Sequence, residues 1–274
     1  VTPWTLEAGR AWAFLRRDFL FRWSYKFGFL YDIGALFSSL VALHFTNRML
    51  AAAPPPSVTA YGTDYFTFAL VGIAFLDYMW VSMRSFAQQV RMAQLMGTLE
   101  AMLATPVPPF RILCYSALWP YAWTTIRAVL YLVLGVLVFE ADFGAVNVLS
   151  AVVFLAAMVA AFAGLGIASA ALTLYLKQAD PITAAIGGVS FLFGGIVYPV
   201  ASLPEALQPV AWALPMTHAV EGLRRAFLSG ATLADLSGHL GMLVLWALLS
   251  FLLAAWSLRR VVRILSREGS FGAY

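Results

Sequence analysis

Six stretches of this chain are apolar enough and long enough to cross a bilayer, and that repetition constrains the fold more than any motif does. They run over residues 27–46, 65–83, 112–139, 148–176, 181–199 and 240–258. About 20 helical residues cross the roughly 30 Å of a hydrocarbon core. Backbone groups there find no water, so each stretch must satisfy its own hydrogen bonds as a helix. The chain is 62% hydrophobic and 11% charged, whereas soluble domains are about a quarter charged. The expected fold is an all-α polytopic membrane protein with six transmembrane helices. The single cysteine, Cys114, excludes an intrachain disulfide and a cysteine metal cluster. No metal ligand set is expected.

The polar segments between the spans each carry a local signal. Thr2 and Pro3 read as a cap and a first-turn proline. Trp4, Ala8, Trp12, Leu15 and Phe19 then recur on one face, with Glu7, Arg10, Arg17 and Asp18 on others. Such a helix suits the membrane interface, or its apolar face packs on a protein partner. No small-residue cleavage site follows, so the first span is read as retained and not as a cleaved signal peptide. Pro54-Pro55-Pro56 in the 47–64 loop is expected to be extended. In 97–111, Thr98 can cap a short helix that Thr105-Pro106 ends, because proline lacks an N–H. A stiff strap through Pro108 and Pro109 then leads into the third span. A short helix held this way is suited to passing force to a partner, or is an ordinary structured loop. Residues 140–147 read as a short acidic turn. Asp180 and Pro181 read as the cap and first turn of the fifth span.

Six spans put both termini on one side, and the basic residues decide which. Arg10, Arg16, Arg17, Arg22, Lys26, Arg84, Arg91, Arg111, Lys177, Arg259, Arg260, Arg263 and Arg267 fall on the side of the termini. Only Arg48, Arg224 and Arg225 fall on the other. That bias makes the termini and the 97–111 loop cytoplasmic. The chain divides into a cytoplasmic amphipathic helix (1–26), a six-helix transmembrane domain (27–262) and a cytoplasmic tail (263–274). The net charge of +4 sits at span ends and is not a nucleic-acid signal.

Few residues point to chemistry within this chain. A Walker A loop needs lysine after glycine, but the only lysines, Lys26 and Lys177, follow Tyr25 and Leu176. His44, His218 and His239 read as isolated, so a membrane enzyme is not expected. Asp32 lies near a span end; Asp77 and Arg127 lie deeper, where a charge is costly. They read as a mutual ion pair joining spans two and three, with a proton-coupling role as the alternative. Ala184, Gly188 and Gly195 share one face of span five, a packing seam and candidate subunit interface. Phe66, Phe75, Phe191 and Phe193 offer aromatic surface that faces neighbours or lipid, or lines a path. Between spans five and six, two short helices broken at Pro209 and Pro215 are expected to dip back toward the membrane. Thr217 is expected to cap the second, and Glu221 and Arg225 to pair on its surface.

The sequence resembles the membrane subunit of ATP-binding-cassette exporters of the type 2 permease class. The motifs are Gly97-Thr98-Leu99-Glu100, Leu103-Ala104-Thr105-Pro106-Val107, Tyr198-Pro199, Leu203-Pro204 and Leu214-Pro215-Met216-Thr217-His218. The resemblance implies that Gly97, Thr98, Leu99, Glu100, Leu103, Thr105 and Pro106 form a cytoplasmic coupling helix that docks on an ATPase. It implies that Trp4, Trp12, Arg16 and Arg17 belong to an interface helix. Tyr198, Pro199, Leu203, Pro204, Pro215, Thr217 and His218 would belong to re-entrant outer helices that close the exit. It further implies two ATPase subunits, a second copy of this chain or a related one, and ATP and Mg on the ATPase, with no cofactor on this chain. The cell membrane, an inner membrane where there are two, is the implied location. The Gly-Thr-Leu-Glu loop is similar to that of exporters of drugs, lipids and lipo-oligosaccharides, so a hydrophobic or amphiphilic substrate is expected. Polysaccharide or glycolipid export is the alternative. An ATP-independent channel or secondary transporter, using Asp77 and Arg127, is the more distant one.

Overall fold

Side-chain caps and prolines set the helix ends here as much as hydropathy does. The computed structural model describes residues 3–24, 26–95, 109–176 and 181–268. Its elements are α1 (Pro3–Ser24), α2 (Lys26–Leu50), α3 (Pro56–Thr59), α4 (Tyr65–Leu95), α5 (Pro109–Phe139), α6 (Val148–Leu176) and α7 (Pro181–Phe193). A 3-10 turn (Val200–Ser202), α8 (Gln208–Ala213), α9 (Pro215–Leu228) and α10 (Ser237–Glu268) complete it. Among the described residues there is no strand. Asp64 Oδ1 accepts the Thr67 N–H at 3.0 Å and Asn47 Oδ1 the Phe66 N–H at 3.2 Å, so two side chains share the capping of α4. Asn147 Oδ1 caps α6 through the Ser150 N–H at 3.1 Å.

Among the described residues five helices are long and apolar enough to cross a membrane, within α2, α4, α5, α6 and α10. The stretch expected as the fifth of six spans differs. Its helix, α7, has 13 residues, about 20 Å at 1.5 Å per residue. It stops at Phe193 because the next residues are Gly194 and Gly195, and Gly195 turns the chain at φ +69°. Side chains with a Cβ avoid that region. Gly195 therefore does not share a helix face with Ala184 and Gly188. Gly188 faces open space, while a Cβ on its neighbour Gly187 would lie 2.2 Å from the Trp80 ring. Pro56 also departs from expectation: it starts the single turn of α3. Pro209 and Pro215 likewise sit in the first turns of α8 and α9, where a missing N–H costs nothing. The expected cap Thr2, the 97–106 motif and the 177–180 turn with Asp180 lie outside the described residues.

The bundle is organised on α4, whose span is 72% buried against 17% for α2 and α10. α5 runs antiparallel to it. Phe66 meets Phe139 with ring centroids 5.4 Å apart, Tyr78 donates to Thr125 Oγ1 at 2.8 Å, and Tyr121 donates to Ser82 Oγ at 2.9 Å. α6 lies against both α4 and α10, and glycines let it approach. A Cβ on Gly164 would fall 2.2 Å from Ser250 Oγ on α10, and one on Gly166 would fall 2.3 Å from the Ser82 carbonyl oxygen on α4. Close approach suits helices in lipid, where dispersion contacts replace a hydrophobic drive.

The Ser82 carbonyl is backbone and cannot rotate away. Gly166→Val is therefore expected to cost about 1–3 kcal/mol or more of bundle stability. Thermal unfolding in detergent reads this, with Gly188→Val, at an open position, expected to stay near the native value.

Candidate functional site

Among the described residues most charged side chains are exposed, but the short helix α9 buries two of them. Its sequence begins with Pro215 and carries Glu221, Arg224 and Arg225. Arg224 is 1% exposed and Glu221 5%. The Arg224 guanidinium donates from Nε to the Phe68 carbonyl at 3.2 Å, from Nη1 and Nη2 to the Gly195 carbonyl at 3.1 Å each, and from Nη2 to the Ile196 carbonyl at 2.9 Å. Its Cζ lies 3.5 Å from the Phe68 ring centroid, within cation–π range. The turn at 194–196 can sit this deep because Gly72 has no side chain. A Cβ there would meet the Ile196 carbonyl oxygen at 2.1 Å.

Glu221 serves other donors. Its Oε2 accepts from the Tyr61 hydroxyl at 2.8 Å and its Oε1 from Arg225 Nε at 2.7 Å. The Glu221–Arg225 pair was expected on a surface; only its Arg225 end is exposed. Burial, and then the Glu221 carboxylate beside it, push the Tyr61 phenol up to about 12, so it is a neutral donor. A cavity of about 120 Å³ opens between the glycine turn, α8 and α9, with Tyr61, Trp212, Thr217, Glu221, Arg224 and Arg225 in its wall.

The sequence candidates at this end assemble around the same cluster. Thr217 does not cap α9. Leu214 holds the cap position, and the Thr217 hydroxyl donates instead to the Ala211 carbonyl at 2.6 Å, tying α9 to α8. His218 and His239, read as isolated, are bonded: their Nδ1 atoms lie 2.9 Å apart, and His218 Nε2 lies 2.8 Å from the Trp212 carbonyl. A carbonyl only accepts, so Nε2 carries the proton and His218 Nδ1 accepts from His239. Burial lowers the His218 pKa, which agrees with a neutral ring. Tyr198 donates to the Leu192 carbonyl, Pro199 precedes the 3-10 turn, Gln208 Nε2 donates to the Leu203 carbonyl at 3.0 Å, and Pro204 accepts from the Leu207 N–H at 2.8 Å. Pro215 is buried at the start of α9.

At the opposite end α1 runs alongside the first half of α5, not on a free surface. Glu7 Oε1 lies 2.9 Å from Arg111 Nη1, and Tyr115 donates to the same carboxylate. Five rings close a loop across three helices: Phe19–Trp23 at 5.8 Å, Trp23–Phe29 at 6.4 Å, Phe29–Trp123 at 5.3 Å, Trp123–Trp119 at 6.3 Å and Trp119–Phe19 at 5.6 Å. Asp32 accepts from Arg22 and from Trp123 Nε1 beside them. The packed line of α1 thus holds Glu7, Phe14, Phe19 and Arg22. The expected apolar face is not the one packed throughout, since Trp12 on it is 67% exposed. Arg16 and Arg17 are exposed as well, Arg17 pairing with Asp18 at 2.7 Å. Trp4 lies in α1.

Asp77 Oδ2 and Arg127 Nη2 lie 3.0 Å apart across the α4–α5 contact, about three-quarters shielded. Of the aromatic path candidates, Phe66 and Phe75 are core residues, packed on Phe139 and on Tyr78 and Phe227. They are enclosed by α5, α4 and α9 and have no open face to line a path. Phe191 is exposed and Phe193 half-buried on α7. Gly97, Thr98, Leu99, Glu100, Leu103, Thr105 and Pro106 lie outside the described residues. Sequence reasoning missed Arg224 and Tyr61 as site residues. The available signal was an Arg-Arg pair with a glutamate one turn earlier, set among Ala, Val, Leu and Phe.

A family model described as ABC-2 type transporter matches residues 10–228, from α1 to the end of α9. Nodulation protein J of Rhizobium leguminosarum bv. viciae is 36% identical over 66 residues, covering 24% of this chain and 25% of that protein. The matched segment thus spans about a quarter of the curated relative's length.

Two outcomes follow from this geometry. Arg224→Ala strands the buried Gly195 and Ile196 carbonyls, and is expected to cost about 3 kcal/mol or more, measured as loss of thermal stability. Arg224→Lys should not restore it, because an ammonium cannot reach three carbonyls in a planar fork. Asp77→Asn and Arg127→Gln are each expected to destabilise more than the double substitution, with a coupling of about 1 kcal/mol or more. Additive effects would show that the pair contributes nothing as a pair.

Proposed function

The chain belongs to the ABC-2 type transporter family, and from that premise we propose that it is the permease subunit of an ATP-driven exporter of a hydrophobic or amphiphilic substrate, such as a drug, a lipid or a lipo-oligosaccharide. The observation that carries the reading is the family match over most of the chain. Two features support it. These residues hold no lysine placed for a phosphate loop, and in this reading the energy is supplied by a nucleotide-binding unit outside them. α1 is tied to the start of α5 through Glu7, Arg111 and Tyr115, so a push arriving at 97–106 reaches both helices together.

In this reading six spans cross the cell membrane, α7 and the turn after it acting as the fifth. The bias of basic residues puts both termini and the coupling segment in the cytoplasm. An ATP-binding-cassette ATPase, in two copies and holding ATP and Mg, docks at 97–106. A second copy of this chain, or a related one, completes the path. The open face of α7 at Ala184, Gly188 and Phe191 suits that contact, since small residues let helices approach. ATP-driven closure of the partner rocks the membrane halves, and substrate leaves past the cap formed by α8 and α9.

The test is purification from the native membrane through a tag on the C-terminal tail, with mass spectrometry and an ATPase assay. An ATP-binding-cassette ATPase in roughly equal amount is expected; a clean complex lacking one overturns the reading. Within such a complex, Glu100→Arg is expected to abolish substrate-stimulated ATPase activity while membrane insertion stays normal. Normal transport by that variant would remove Glu100 from the coupling contact.

A further inference from the structure

The cavity beneath α8 and α9 holds an unbalanced charge. Its wall carries two guanidinium groups, Arg224 and Arg225, and one carboxylate, Glu221. Both Glu221 oxygens are taken, one by Tyr61 and one by Arg225. Arg224, 1% exposed, makes no direct ion pair among the described residues; it donates to carbonyls and lies over the Phe68 ring, with the Glu221 charge acting on it from nearby. Two cations against one carboxylate leave the wall with one positive charge in excess, and buried charge that is not fully compensated is costly. Arg225 uses Nε on Glu221, and its two Nη groups make no hydrogen bond among the described residues. The space beside them, about 120 Å³, is that of about four waters at ~30 Å³ each. It admits one small tetrahedral or planar oxyanion.

We propose that this cavity is an anion site that takes a single phosphate or carboxylate group, carried by an amphiphile headgroup or by a free anion. Arg225 supplies the N–H fork, which matches two oxygens at once. Arg224 supplies the long-range positive field from behind, while its own donors hold the 194–196 turn. The Thr217 hydroxyl spends its one proton on the Ala211 carbonyl and offers the anion no donor, so the two arginines carry the recognition. Trp212 is 40% exposed and, with Val200 and Ala201, makes the rim apolar. An acyl or alkyl chain attached to the anion can lie there. The binding itself does not depend on the exporter reading. Only its role does: at the exit, the site would hold a departing headgroup beside the cap that must open.

The test uses the full chain, with whatever subunits accompany it, in non-ionic detergent. Inorganic phosphate is titrated against chloride at fixed ionic strength, and Trp212 emission is taken as the difference between the native protein and Trp212→Phe. A saturable change is expected in the native protein and none in Trp212→Phe. Arg225→Gln should weaken it about tenfold or more, as loss of a charge-assisted fork does, and Arg225→Lys should weaken it less. Thermal unfolding of the variants near the native midpoint shows that the fold is kept. Nanodiscs of phosphatidylglycerol, compared with phosphatidylcholine, then separate the sources. Competition by phosphatidylglycerol identifies a headgroup; a phosphate response that it leaves unchanged identifies a free anion, and either supports the site. No saturable response in folded protein, or one that persists in Trp212→Phe or is unchanged in Arg225→Gln, overturns it. Failure of an ATPase to co-purify would sink the exporter reading and leave this titration unaffected.

Discussion

One buried guanidinium holds the end of this bundle together. Arg224 reaches from α9 to carbonyls on α4 and on the turn after α7. The Gly195 and Ile196 carbonyls need partners because α7 ends early and its last turn leads into a glycine reversal. Backbone that leaves a helix at this depth needs partners, since little water reaches it. A planar five-donor group meets that need in one residue. The placement of α8, the contact between Thr217 and Ala211, and the cavity beside Glu221 all follow from a turn held in this way.

The opposite end uses a different device. There α1 is fastened to α2 and α5 by a closed set of aromatic rings and by charges that stay near them, Arg22 with Asp32 and Glu7 with Arg111. Rings supply broad contact, and the indole N–H of Trp123 adds a directed bond to Asp32. Between the two ends the helices meet through glycine and alanine. α6 is the clearest case, with Gly164 and Gly166 giving close approach to two neighbours. α4 and α5 are also cross-linked along this stretch, by Asp77 with Arg127, Tyr78 with Thr125 and Tyr121 with Ser82.

Much of the fold was legible in the sequence because hydropathy acts over whole segments. A run of apolar residues long enough for a bilayer leaves the backbone no choice but helix. Asp77 and Arg127 could be named as partners from their depth alone, and the structure has them 3.0 Å apart. The family match, too, runs along contiguous sequence, over residues 10–228. What misled was equally local. Prolines at 56, 209 and 215 looked like breaks and are helix starts, because a proline's effect depends on whether it falls in a first turn. Span five looked continuous because glycine is apolar on a hydropathy count, yet Gly195 takes a conformation that ends a helix.

By itself the sequence determined the helical class and the family the chain belongs to. Each of those rests on composition within a contiguous stretch. Only the tertiary structure decided that Arg224 is buried, that Glu221 is shared by Tyr61 and Arg225, that His218 meets His239, and that Phe66 and Phe75 are core. These are encounters between residues up to 160 positions apart. A side chain's charge and size are written in the sequence, but its neighbours are set by how helices pack, and burial and hydrogen bonding depend on the neighbours.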